Sequence, residues 1–146
     1  GGLLARMGRP SSAVDVLKEA LTIDSTLKGA YLNLSIAFDS AGRPIEAEKW
    51  IRHALKLDPD YADAHHQWAI TLFRQGRHTE AIQRVKHAIK QNPTSSSYHL
   101  NLGTFLAASK KYREAINAFQ KVLELEPRNT LARDYLRRAR TEAKKP

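Results

Sequence analysis

Cysteine is absent from this chain of 146 residues, so no disulfide, thiolate metal site or cysteine nucleophile can be built from it. Long apolar runs are absent as well. Nothing approaches the roughly 20 consecutive apolar residues that a membrane helix requires, and the negative mean hydropathy fits a soluble protein. A cytoplasmic location is the default expectation. Motifs of chemistry are missing too: no phosphate-binding GxxxxGK[ST] loop, no GxSxG elbow and no HExxH pair occurs. Glycine and proline are scarce, at 7 and 6 residues, and several of them are evenly spaced.

Pro59, Pro93 and Pro127 stand 34 residues apart, and so do Gly8, Gly42 and Gly76, with Lys110 in the fourth glycine place. A fixed period of this length marks an array of repeats. Aligning the units pairs Tyr31/His65/His99, Leu34/Trp68/Leu102, Ser35/Ala69/Gly103 and Phe38/Leu72/Leu106 in a first segment. A second segment pairs Ala47/Ala81/Ala115, Ile51/Val85/Phe119 and Ala54/Ala88/Val122. Both segments have helical spacing. The small residues in mid-segment allow two antiparallel helices to approach closely, and the larger residues fill the space beside that crossing. A glycine can take the left-handed conformation that stops the first helix, and the proline cannot continue the second. One hairpin of this kind cannot bury its own apolar face, but stacked neighbours make a continuous core.

The pattern of aromatic, large, small and large residues, then Ala, large and small, then Pro, resembles the tetratricopeptide repeat (TPR) over nearly the whole chain. Histidine in the leading aromatic place and Lys110 in the glycine place are its departures. The expected fold is an all-α, right-handed solenoid of antiparallel helix pairs. Its units are 1–27 (a truncated hairpin), 28–61, 62–95 and 96–129, followed by a capping helix and tail at 130–146. First helices are predicted near 29–41, 62–75 and 96–109, second helices near 45–57, 79–91 and 112–125. Residues 1–7 align with the second half of a first helix, so the chain is expected to be a fragment of a larger protein. In the last helix Ala132, Leu136 and Ala139 keep the inward register, while Arg133, Arg137 and Arg140 replace the residues that would face a further helix. Such a polar outer face ends an array.

The net charge of +9 is uneven: residues 128–146 hold seven of the 24 basic residues against two acids. With only Tyr135 available as a stacking platform, this segment reads as a solvated end, and nucleic acid is not an expected partner. Membrane insertion is not expected either. The six histidines lack a convergent ligand set; His65 and His99 read as packing residues, and His53 and His87 as convex-side residues. No metal, no cofactor and no catalysis is expected.

The TPR resemblance implies a protein- or peptide-binding module whose first helices line a concave groove. Asn33, Gln67 and Asn101 share one register there. A carboxamide both donates and accepts, so it can bond the backbone of an extended peptide. The row resembles the asparagine ladder in the TPR region of O-linked N-acetylglucosamine transferase, with Asn101-Leu102-Gly103 as its fullest match. Leu32, Ile36, Ile70, Phe73 and Leu100, continued by Leu131 and Tyr135, form an apolar stripe beside it, rimmed by His66, Arg74, Thr104 and Asp134. The expected partner is an extended segment or an amphipathic helix. The family's chaperone-binding members grip a terminal carboxylate with lysines; here Leu32, Ile36, Gln67, Ser97 and Asn101 occupy those places. Two rival readings remain: a substrate-recognition arm of a multidomain, glycosyltransferase-like enzyme, and an assembly element that self-associates through the N-terminal edge at Leu3, Leu4 and Met7.

Overall fold

A computed structural model describes residues 10–146, with side-chain environments from residue 13. The expected hairpin half at 1–7, and with it Leu3, Leu4, Met7 and Gly8, lies outside the described residues. The described chain forms eight helices and no strand: α1 (Pro10–Ile23), α2 (Lys28–Ser40), α3 (Pro44–Leu57), α4 (Ala62–Arg74), α5 (His78–Gln91), α6 (Ser96–Ala108), α7 (Tyr112–Leu125) and α8 (Thr130–Ala143). The bounds of α2 to α7 fall within one residue of the prediction. The fold is an all-α tetratricopeptide-type solenoid, with α8 as the last described helix.

The three hairpin turns are built alike. Gly42 and Gly76 have φ of 75° and 78°, and Lys110 adopts the same left-handed backbone at 62°. Behind each, two backbone bonds close the helix. Arg43 N–H donates to Phe38 O, Arg77 N–H to Leu72 O and Lys111 N–H to Leu106 O, at 2.9–3.0 Å. This is the Schellman closure, which satisfies carbonyls that the helix end would otherwise leave bare. Lysine accepts a strained conformation there because those bonds over-determine it.

The second turn of each unit is held by the leading residue of the following first helix. Tyr31 OH donates to Ser25 O at 3.2 Å, His65 and His99 donate through Nε2 to Pro59 O and Pro93 O at 2.8 Å, and Arg133 donates to Pro127 O at 3.2 Å. Four different side chains make one bond in one register, which explains why histidine can replace the aromatic. The register of His53 and His87 packs against these rings, with His53 5.3 Å from Tyr31 and His87 3.9 Å from His65. Those histidines therefore pack within their own repeats, half-buried against the leading ring.

Inside the hairpins the small and large registers compensate in volume. Ser35 and Ala69 are fully buried opposite the Ile51 and Val85 registers. In the third unit the small residue is Gly103 and the large one Phe119; a Cβ on Gly103 would lie 2.5–2.9 Å from the Phe119 ring. Large buried side chains recur in every complete unit: Leu34 and Ile51, Leu72 and Val85, Leu106 and Phe119. On α8, Ala132, Leu136 and Ala139 are buried, while Arg133, Arg137 and Arg140 are exposed.

Candidate functional site

Consecutive first helices touch one another: α2 meets α4, α4 meets α6, and α6 meets α8. Among the described residues, consecutive second helices do not meet. A stack that is close along one edge and open along the other curves toward the close edge, so the first helices lie on the concave side. The outward stripe of each first helix then lines the hollow. On α2 it is Gly29, Asn33, Ile36 and Ser40, all exposed. On α4 it continues through Gln67, Ile70 and Arg74, and on α6 through Asn101 and Thr104.

The three amides differ in what they already hold. Asn33 is exposed and its side chain bonds no other described residue. Gln67 is half-buried, 3.4 Å from both Asp39 Oδ2 and Thr71 Oγ1. Asn101 donates to His66 Nε2 at 2.7 Å. Ile36 is 42% exposed and Leu131 46%. Leu32, Ile70 and Leu100 are half-buried, and the latter two pack on the central core. Phe73 faces the seam rather than the stripe, stacked on His78 at 4.7 Å and on Phe105 at 4.5 Å. Thr104 is turned onto its own helix, donating to Leu100 O at 2.9 Å. Arg74 is exposed, and its guanidinium donates to Asp39 Oδ2 at 2.5 Å.

Three polar links therefore stitch the concave seams: Asp39 to Arg74, Asp63 to Tyr98, and His66 to Asn101. Each spans 35 residues, one more than the repeat, because each reaches a neighbouring register in the next unit. Asp39, Asp63 and Tyr98 escaped the sequence reading, since a link between unlike residues leaves no mark in an alignment of equivalent positions. A search for complementary polar pairs one residue beyond the period would have found them. Burial holds His66 below its ordinary titration range, against the smaller opposing pull of Asp63. It stays neutral at pH 7 with Nε2 free to accept from Asn101. Burial, reinforced by the bond to Asp63, pushes the Tyr98 phenol far above its usual range, so it remains a donor.

No group of three or more metal-ligating side chains converges among the described residues, and none of their helices is long and apolar enough to cross a membrane.

Residues 45–122 match the family model described as anaphase-promoting complex, cyclosome, subunit 3, and residues 4–66 match that of the tetratricopeptide repeat. No curated protein matches the sequence. Among solved structures, the fold is similar to that of MamA, with a TM-score of 0.85 and 20% identity over 97% of this chain and 78% of that one. PilF of Pseudomonas aeruginosa is similar with a TM-score of 0.86 and 26% identity, over 96% of this chain and 64% of that one. The first TPR of Spaghetti (RPAP3), solved bound to an HSP90 peptide, has a TM-score of 0.78 and 23% identity, over 84% and 99%. With its 34-residue period and its stacked hairpins, the chain belongs to the tetratricopeptide repeat family.

Proposed function

We propose that this chain is a non-catalytic scaffold that captures a segment of a partner protein along the concave face of its first helices. The observation that carries the reading is the asymmetry of the stack: first helices touch across each seam and second helices do not, which leaves a hollow lined by α2, α4, α6 and α8. Within it Asn33 offers an unengaged donor and acceptor to a peptide backbone, and Ile36 offers apolar area beside it. Gln67 and Asn101 serve the seams first, and a ligand would have to displace Asp39 or His66 to use them. The unengaged groups of the groove therefore begin on α2 at Asn33 and Ile36, with exposed Arg74 beside them on α4.

Residue types argue against an acidic chain terminus as the ligand of this stretch. Leu32, Ile36, Gln67, Ser97 and Asn101 supply no cation to a carboxylate. The test is affinity capture with the wild-type chain and with Asn33→Ala and Ile36→Ala, both at exposed positions, with thermal melts to check that each variant folds. Asn33→Ala should weaken a captured partner by about 1 kcal/mol. A partner retained equally by the double variant would remove the groove reading.

A further inference from the structure

The last seam carries a cavity that the preceding seam fills with its own side chains. Between α4, α5 and α6, Phe73 stacks on His78 and on Phe105 in a continuous aromatic column. One repeat later the same three places hold Ala107, Tyr112 and Ala139. Two phenyl rings are missing, and between α6, α7 and α8 a hollow of about 330 Å³ opens, lined by Thr104, Ala107, Tyr112, Phe119, Tyr135 and Ala139. Arg138 and Glu142 stand at its edge. A shallower cleft of about 600 Å³ shares Tyr112 and Glu142 with it and is bordered by Lys110, Lys111 and Arg113. Glu142 is already paired with Lys145 at 2.6 Å. Glu114 also borders the cleft, so Lys110, Lys111, Arg113 and Arg138 leave the mouth net positive, and the interior is apolar and flanked by tyrosines.

We infer that this cavity receives an aromatic side chain of a partner protein, carried on a segment whose neighbouring residues are acidic. The preceding seam supplies the physical precedent: a ring in this place stacks on the residue that opens the second helix, His78 there and Tyr112 here. Aromatic rings gain from such offset stacking beyond the burial of their area. The cationic mouth selects carboxylates on either side of the ring and disfavours basic segments. The inference rests on the reading that a partner segment lies along the first helices, and it adds where that segment is anchored.

The test uses the full chain and two blocked pentapeptides, Glu-Glu-Phe-Glu-Glu and the same peptide with alanine at its centre, followed by NMR of the alanine methyl groups. The phenylalanine peptide should move the Ala107 and Ala139 signals saturably, with the alanine peptide about tenfold weaker or worse. Raising salt to roughly 0.5 M should weaken binding severalfold, as expected for a charged mouth. Ala139→Phe restores the residue that Phe105 represents one repeat earlier; it should raise the thermal midpoint and abolish binding. Ala107→Phe, restoring the place of Phe73, gives a second filled cavity should the first variant pack badly. Equal shifts with both peptides, or undiminished binding in both filled variants, would overturn the inference. Free 3-phenylpropionate binding as tightly as the peptide would also overturn it, since the site would then serve a small aromatic acid. A partner that depends on Asn33 and Ile36 but leaves the Ala107 and Ala139 signals unmoved would spare the groove and end the anchor; the converse pattern would do the opposite.

Discussion

Substituting Gly103 by alanine sets two well-known effects against each other. In an exposed helix interior, Gly→Ala stabilises by about 1 kcal/mol. Here the new Cβ would sit 2.5, 2.7 and 2.9 Å from three atoms of the Phe119 ring, where about 3.5–4.0 Å is comfortable. The ring must move by about 1 Å, although it is 1% exposed and stands 5.6 Å from Tyr135. Overpacking of that size costs about 1–3 kcal/mol. The cavity beside Phe119 relieves part of it, so the net effect should be a loss of about 1 kcal/mol. The second unit shows the remedy, because it pairs Ala69 with Val85. Phe119→Val alone should cost about 2–3 kcal/mol for the lost ring. In that background Gly103→Ala should turn stabilising by about 1 kcal/mol, a coupling near 2 kcal/mol between the two sites. Urea unfolding of the four proteins in the cycle measures it. A coupling below about 0.5 kcal/mol would mean that the two residues act independently and that the close crossing of α6 and α7 does not require glycine.

Lys110→Gly should stabilise the chain by about 1 kcal/mol, because glycine carries no penalty at φ 62° and Gly42 and Gly76 already fill the equivalent places; a chemical denaturation midpoint that falls would contradict this. Acid should weaken the fold through its histidines. Burial depresses His53, His65 and His66 below the ordinary value of 6.5, so the unfolded chain takes up protons before the folded one does. The stability they contribute is complete above pH 6.5 and is lost as pH falls through the depressed folded values. Thermal melts between about pH 7.5 and 5 should show it, and His65→Tyr, the residue type that Tyr31 places in that register, should flatten part of the loss. A flat profile in the wild-type chain would refute the assignment. In the same pH range the link between His66 and Asn101 should loosen, which NMR exchange broadening at Asn101 would report.

The period carried most of the fold. Registers that recur without an insertion located the six helices of the complete units to within one residue, because turn chemistry at Gly42 and Pro59 is local and recurs. The two faces of α8 were legible for the same reason: Ala132, Leu136 and Ala139 keep the inward register and are buried, while Arg133, Arg137 and Arg140 are exposed. Even the Gly103 and Phe119 exchange shows in the alignment, as one register shrinking while its partner grows.

The site was legible only as a register. Asn33, Gln67 and Asn101 are equivalent in the repeat, yet the structure leaves Asn33 unengaged and joins the other two to Asp39 and His66. Phe73 has the spacing of a groove residue and stacks instead within a seam. Sequence alone determined the hairpin, its length and its endpoints, since these depend on backbone preferences and on burial within a single unit. Tertiary structure decided which edge of the stack is hollow, which amides remain free, and where two absent rings leave a cavity. Those outcomes arise between units, from contacts of unlike residues about 35 positions apart, and a repeat alignment averages such contacts away.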